Sequence, residues 1–206
     1  MKQKPGWVLP DLKEAQKRTT NTIDRIDTFT IPEAARMMGR GKTYFISTYG
    51  CQANERDSET LAGILDELGF TPNETAEGSD VIIINTCAIR QNAEEKVLGE
   101  IGNFKRLYRE NKDLIIGVCG CMAQEEGLVE TLLTKYPQVR LLFGTHNIQE
   151  LPSMLYSCMF EGKKVVKIYS KEGEVYENLP VHRFGTFKAW VNIMYGCDKF
   201  CTYCIV

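Results

Sequence analysis

The stretch VIIINTC at residues 81–87 decides the fold of this chain. Its first four residues are all apolar, which is typical of a strand buried on both faces of a parallel sheet. Asn85, Thr86 and Cys87 follow directly, so polar and thiol side chains come where this strand ends. In an open parallel sheet, ligands bind at the carboxyl ends of the strands. The stretch therefore predicts a central strand and a functional residue, Cys87.

Strand and helix patterns alternate on both sides of this stretch. Strands are predicted at residues 43–48, 81–84, 114–118 and 139–143, and helices at residues 54–68, 93–108, 127–136 and 148–160. Such alternation implies right-handed crossovers and a parallel sheet. The predicted fold class is α/β: a flavodoxin-like open parallel sheet with helices on both faces, followed by the start of a second unit.

The chain is predicted to divide into four segments. The last is incomplete, because one strand, at residues 188–193, and a loop cannot bury a core. A short helix at residues 31–38 and a further strand at residues 165–168 are also predicted. The four segments are an N-terminal extension (1–40), an α/β domain (41–160), a connector (161–185) and the start of the second unit (186–206).

Composition and charge are those of an ordinary globular protein without a basic excess. Hydrophobic residues make up 43% and charged residues 25% of the chain, which is enough to bury a core. The net charge of −2 shows no basic excess, so any grip on nucleic acid needs a local patch or sequence outside this chain. No stretch reaches the length of a membrane span, and the first 18 residues lack the apolar region of a secretory signal. We therefore expect a cytoplasmic protein, in which eight cysteines favour metal binding or chemistry over disulfides.

Three cysteines occupy equivalent places in the predicted fold. Cys51, Cys87 and Cys121 each follow a strand, so their sulfurs are expected to converge at one edge of the sheet. Three thiolates without an obvious fourth ligand suggest an iron–sulfur cluster with one open iron. Zinc, or thiols packed as small hydrophobic groups, are the alternatives. Cys119 and Cys158 are predicted to be buried without a role in this site.

A second group of cysteines lies near the end of the chain. Cys197, Cys201 and Cys204 are spaced C-x3-C-x2-C in one loop, which can wrap three corners of a cubane cluster. The fourth iron is then left for a chelating substrate. A zinc knuckle is the alternative, but it normally has a fourth cysteine or histidine nearby, and the nearest histidine, His182, precedes the predicted strand.

Five blocks, in order, resemble the methylthiotransferase family of radical-SAM enzymes. The block at residues 48–59 is most similar to the branch that modifies isopentenyladenosine in tRNA, through Gln52, Asn54 and residues 57–59. Ala53 departs mildly from the family pattern, which commonly has methionine there. The family continues beyond the length of this chain, so the resemblance is to its N-terminal part only. The blocks are residues 48–59, 85–90, 120–124, 144–147 and 192–206.

The resemblance implies two 4Fe–4S clusters and S-adenosyl-L-methionine as cofactors. Cys51, Cys87 and Cys121 would bind the auxiliary cluster, and Cys197, Cys201 and Cys204 the radical-SAM cluster. Tyr203, next to the last of these cysteines, would belong to the cofactor-binding loop. Asn54 and Arg90 would shape the auxiliary site, the alternatives being a helix cap for Asn54 and a solvated Arg90. No catalytic residue is assigned.

The resemblance also implies partners and an activity. The substrate would be tRNA, with a flavodoxin-type electron donor and the iron–sulfur assembly machinery as protein partners, and a monomer is expected. The activity would be methylthiolation of N6-isopentenyladenosine beside the anticodon, and this chain alone is expected to be inactive. Other substrates of the family, threonylcarbamoyl-adenosine in tRNA or a ribosomal protein, remain open. So do a non-catalytic iron–sulfur or zinc module and a flavodoxin-like scaffold with incidental cysteines.

Overall fold

A computed structural model of the chain describes residues 24–87, 91–125, 127–168, 174–193 and 201–202. Its main feature is a six-stranded, all-parallel sheet in the order β3-β2-β4-β5-β6-β7, and β1 and β8 form a separate parallel pair. The strands are β1 (Asp24–Ile26), β2 (Thr43–Thr48), β3 (Thr71–Pro72), β4 (Val81–Thr86), β5 (Ile115–Gly120), β6 (Val139–Phe143), β7 (Val165–Lys167) and β8 (Glu174–Tyr176).

Helices cover both faces of this sheet, which confirms the predicted α/β class. The α-helices are α1 (Gln52–Glu67), α2 (Gln91–Glu110), α3 (Leu128–Lys135) and α4 (Leu151–Phe160), and 3-10 turns span Glu33–Ala35, Cys121–Gln124 and Thr145–Glu150. Among the residues described, no helix is long and apolar enough to cross a membrane.

The strand order creates a crevice between β2 and β4. From β2 the chain goes first to β3 on one side, and then to β4 on the other side. Such a reversal of direction is the topological switch point at which open α/β sheets bind ligands, outside the carboxyl ends of the strands. At that end Thr48 of β2 pairs with Asn85 of β4. The loops that follow β2 and β4 therefore flank the crevice.

Two hydrophobic cores explain the continuous apolar runs of the central strands. Ile83 packs into a core on one face with α1 and α4, including Leu61 and Leu155. Ile82 and Ile84 point to the opposite face, into a core with α2 and α3. Successive side chains of a strand alternate between faces, so a strand with helices on both sides is apolar throughout.

The sequence predictions fail in the flanking segments. The predicted strand at residues 188–193 is wrong: the structure shows no strand there, and Val191 and Ile193 are 74% and 95% exposed, without a neighbouring strand. The predicted helix at residues 31–38 is reduced to the turn Glu33–Ala35, and Met37 has a left-handed backbone that no helix accommodates. The short strands β1, β3 and β8 were not predicted, whereas β7 lies within the predicted strand at residues 165–168.

Candidate functional site

The three strand-end cysteines lie at one edge of the sheet, after three neighbouring strands. Cys51 is the N-cap of α1, three residues after β2. Cys87 directly follows β4, and Cys121 directly follows β5 as the first residue of a 3-10 turn. Since β2, β4 and β5 are adjacent and parallel, their carboxyl ends meet at this edge. Cys51 and Cys87 flank the crevice at the switch point.

Two glycines allow the cysteine loops to touch. Gly50 has φ 142°, and a Cβ atom there would lie 2.5 Å from the Cβ atom of Cys87. Gly120 has φ 98°, and a Cβ atom there would lie 2.1 Å from the carbonyl oxygen of Thr86. Real Cβ atoms do not come so close to other heavy atoms, and side chains disfavour positive φ angles. Only glycine at these two positions brings the loops this close.

Asn54 ties the loops together beneath the cysteines. Its side chain is buried, with the residue 3% exposed, and its amide nitrogen donates to Asn85 Oδ1 and to the Thr86 carbonyl, both at 3.1 Å. Its Oδ1 accepts the backbone N–H of Cys51 at 3.1 Å, one half of a capping box at the start of α1. Asn85 returns the contact through its own amide nitrogen, which donates to the Asn54 carbonyl at 2.9 Å and to Ser58 Oγ at 3.0 Å. Asn54 is thus both a cap and a link between β4 and α1.

The thiols of this site contact oxygen atoms. The Cys51 thiol donates to Asn54 Oδ1 at 3.3 Å, and the Cys121 thiol donates to the Thr86 carbonyl at 3.8 Å. Cys87 is 2% exposed. Within the described ranges, no three His, Cys, Asp or Glu side chains are arranged closely enough to hold a metal ion. The structure brings the three loops together, but it does not gather the three sulfurs into a ligand set.

The carboxyl group of Asp57, on α1, is largely buried. Burial raises the pKa of Asp57, although a hydrogen bond from Arg56 at 2.9 Å and the nearby His146 lower it. Burial also raises the pKa of the Cys119 thiol, and the charge of Asp57 adds to this shift. Cys119 and Cys158 are both buried, as predicted. A thiol with a raised pKa stays protonated, so Cys119 is a poor metal ligand in this setting.

Most of the second cysteine group lies outside the described residues. This applies to Cys197, Tyr203 and Cys204, and also to Arg90 next to the first site. Cys201 is described and is exposed. The roles predicted for these residues stay predictions.

Sequence reasoning missed the segment that leads to the second group. Residues 180–190, here named the strap, lie along α1. His182 Nδ1 is 2.6 Å from Asp66 Oδ2, Arg183 pairs with Glu59, and Lys188 Nζ is 2.8 Å from Glu55 Oε2. These carboxylates recur along one side of α1 at intervals of four and seven residues, the helical repeat that could have indicated a charged docking face.

The comparisons with known proteins cover the part of the chain that holds the three strand-end cysteines. Residues 43–144 match the model of a family described as "Uncharacterized protein family UPF0004". The matched segment covers just under half of the chain. It begins with β2, ends just after β6, and contains Cys51, Cys87, Cys121 and Asn54. The strap and the second cysteine group follow it.

Relatives extend the similarity beyond residues 43–144. The chain is 57% identical over 197 residues to a protein of Staphylococcus saprophyticus, 55% over 197 residues to one of Geobacillus thermodenitrificans and 54% over 200 residues to one of Bacillus licheniformis. Each is named tRNA-2-methylthio-N(6)-dimethylallyladenosine synthase, which confirms the resemblance seen in the motifs. The matches cover 96–97% of this chain, and the chain spans 38–39% of the length of these relatives.

Proposed function

We propose that this chain supplies the auxiliary-cluster part of a tRNA methylthiotransferase. The whole enzyme would convert N6-isopentenyladenosine next to the anticodon into its 2-methylthio derivative, in the cytoplasm. The names of relatives that are 54–57% identical support this reaction. The observation that carries the proposal is the meeting of three cysteine loops at the switch point of a parallel sheet. Three separate loops would contribute one thiol each at the edge of the sheet where this fold binds ligands.

The residues present fit a 4Fe–4S cluster in their donor chemistry. Cys51, Cys87 and Cys121 would hold it, since cysteine thiolates are the ligands of such clusters. Bound there, the cluster would offer one open iron as a site for the inserted sulfur. Binding requires the Cys51 thiol to lose the proton that it shares with Asn54 Oδ1. The N-terminus of the 16-residue helix α1 favours the resulting thiolate.

Asn54 would hold this site in shape. Its amide nitrogen is fixed by two acceptors, so its oxygen is directed at the backbone N–H of Cys51. The loop that carries Cys51 is therefore held against the end of β4, beside Cys87. We propose the same site-shaping role for Arg90, on the strength of the family resemblance alone.

The second cysteine group would complete the enzyme. Cys197, Cys201 and Cys204, with Tyr203 beside them, would bind the radical-SAM cluster and S-adenosyl-L-methionine. A flavodoxin-type donor would supply electrons, the iron–sulfur assembly machinery would load the protein, and the enzyme would act as a monomer. Because the chain has a net charge of −2, most of the grip on tRNA would come from parts of the enzyme that this chain lacks.

Anaerobic reconstitution with iron and sulfide tests the proposal. The triple variant Cys51→Ala/Cys87→Ala/Cys121→Ala should bind about four fewer irons per chain than the wild type, with a matching loss of sulfide. The double variant Cys119→Ala/Cys158→Ala removes buried thiols outside the site, and its iron content should equal that of the wild type. If the wild type takes up zinc in place of iron, or if the triple variant retains all its iron, the proposal is wrong.

A further inference from the structure

We infer that the strap docks on α1 beside the first cysteine site, with Glu59 and Asp66 as its anchors, and so limits how far the second cysteine group can lie from that site. The docking of the strap is a property of this chain by itself. Only its consequence for the two cysteine groups rests on the proposed function. No feature of the UPF0004 match includes this contact, because the strap lies outside residues 43–144.

The contacts of the strap follow α1 in reverse order. His182 pairs with Asp66 near the end of the helix, Arg183 pairs with Glu59 in the middle, and Lys188 pairs with Glu55 in the first turn. The strap therefore runs antiparallel to α1, toward the helix end that Cys51 caps. Each step along the strap brings the chain closer to the first cysteine site.

One of these contacts involves a buried carboxylate, and a second involves a partly exposed carboxylate that has another partner in the sheet. The side chain of Glu59 is 6% exposed, so the guanidinium of Arg183 neutralises a carboxylate that has little access to water. Asp66 accepts the hydroxyl of Tyr44 at 2.9 Å on one oxygen while its other oxygen contacts His182. Burial is the main cause of the raised pKa of Tyr44, and the hydrogen bond with Asp66 raises this pKa further. The strap thus completes the hydrogen bonding of two carboxylates of α1, one of which also accepts the Tyr44 hydroxyl of the sheet.

The backbone of the strap also packs closely against α1. The N–H of His182 donates to the carbonyl of Glu59 at 2.9 Å. A Cβ atom at Gly63 of α1 would lie 2.5 Å from the backbone of Pro180. Glycine in a helix interior is destabilising relative to alanine. At position 63 the missing side chain lets the strap approach the helix closely, which explains why a glycine occurs there.

The end of the strap reaches the first site. Trp190 and Lys188 line a cleft of ≈ 460 Å³ together with Thr48 and Gly50, and Gly50 directly precedes Cys51. Lys188 also lies over the Trp190 ring, 4.2 Å from its centroid, which holds the two side chains together. Cys197 comes seven positions after Trp190, a span of at most about 25 Å in any conformation. A docked strap therefore limits how far the second cysteine group can lie from the first.

Pulsed EPR tests this inference without any cluster being present. Genetically encoded spin-label residues at Ala53, exposed in the first turn of α1, and at Ile193, exposed just after the strap, report the distance between the two. All cysteines stay in place. The full 206-residue chain should give one narrow distance distribution.

Two independent changes should release the strap. Arg183→Glu/Lys188→Glu reverses two charges beside carboxylates, and Gly63→Ala places a methyl group against the backbone of Pro180. Both should broaden the distribution by about twofold or more, because the released segment becomes a flexible end of the chain. The controls are Arg106→Glu/Lys163→Glu, which reverses two charges in exposed ion pairs elsewhere, and Gly99→Ala, where an added Cβ meets nothing within 4 Å. Both controls should keep the narrow distribution.

The outcomes separate this inference from the proposed function. A broad distribution in the wild type, or a narrow one in both release variants, overturns the docking of the strap. Release by the charge variant and by Gly63→Ala, with both controls unchanged, supports it. Iron content is measured separately in the reconstitution experiment. If the chain binds no iron but shows a docked strap, the proposed function is refuted and the inference about the strap is unaffected.

Discussion

Gly120 lies where two of the cysteine loops approach so closely that no methyl group fits between them. A Cβ atom there would lie 2.1 Å from the Thr86 carbonyl, and the φ angle of 98° adds strain for any L side chain. We expect Gly120→Ala to lower the free energy of unfolding by roughly 2–4 kcal/mol, combining backbone strain with the clash. Urea denaturation measures this change.

The matched control for this substitution is Gly127→Ala. Gly127 has a similar φ of 87°, but a Cβ atom there meets nothing within 4 Å. Gly127→Ala should lower the free energy of unfolding only by the backbone strain, about 1 kcal/mol. Equal costs at the two positions would show that the contact of Gly120 with Thr86 does not matter.

Asp57 should make stability depend on pH. Burial raises its pKa above the ordinary value of 3.8, so in the folded protein this carboxyl group holds its proton to a higher pH than in the unfolded chain. Stability is then lost as pH rises through that interval, because folding takes up a proton there. Asp57→Asn removes this loss. Relative to the wild type, it should gain stability as the pH rises above the ordinary pKa of 3.8, and the gain should level off once Asp57 of the folded protein has lost its proton.

Urea unfolding at several pH values measures this difference. Asp113→Asn, at an exposed position, serves as the control and should show no such trend. A stability difference between Asp57→Asn and the wild type that stays constant over this pH range would contradict the assignment of the effect to burial.

At the scale of elements, α1 is the helix on which the site depends. Its first turn carries Cys51 and Asn54, its middle packs into the core, and its polar side holds the strap. Asn54→Ala would leave the buried Asn85 amide oxygen without its donor and remove the cap of the Cys51 N–H. We expect the free energy of unfolding to fall by about 2–4 kcal/mol, because a buried polar group loses its partner and the helix loses its cap.

Asn111→Ala gives the comparison for this prediction. Asn111 also accepts a backbone N–H, that of Asp113 at 3.0 Å, but the contact is exposed. Water can replace a lost partner there, so the cost should stay below about 1 kcal/mol. Similar losses at Asn54 and Asn111, measured by urea denaturation, would argue against a structural role of the buried network.

Elements that carry their own signal could be predicted from the sequence, and the others could not. The runs around Ile83 and Ile116 are apolar on both faces of the sheet, so β4 and β5 are visible as central strands without any knowledge of their neighbours. The alternation of strands and helices then placed three cysteines at one edge. Short strands such as β3, with two residues, depend on a partner for their existence. Residues 188–193 show the opposite case, in which apolar residues lack a partner and form no strand.

The docking of the strap lay beyond sequence reasoning for a similar reason. Lys188 and Glu55 are 133 positions apart, and His182 and Asp66 are 116 positions apart. Charge patterns show that such residues can form ion pairs, but they do not show with which partner. Asn54 was predicted to act either as a cap or in shaping the site. The structure shows the cap, and its hydrogen bonds to Asn85 and Thr86 add a connection to β4.

At the scale of the whole molecule, cluster binding and folding should be coupled. The proposed ligands come from the loops after β2, β4 and β5, which are brought together only in the folded chain. A group that binds the folded state alone stabilises it by mass action. Anaerobic reconstitution should therefore raise the Tm of the wild type by several degrees, as about 1–2 kcal/mol of added stability does in a domain of this size.

Differential scanning calorimetry under anaerobic conditions measures this shift. Cys51→Ala/Cys87→Ala/Cys121→Ala should lose most of this shift, because its remaining cluster ligands lie in one loop, while Cys158→Ala, which alters a buried thiol of α4, should keep the full shift. Removal of iron by a chelator should return the wild type to its unloaded Tm. A full shift that survives in the triple variant would place the stabilising metal away from the three strand-end cysteines. A shift produced equally by zinc alone would mean that the three cysteines discriminate poorly between metals, because thiolates bind both zinc and iron.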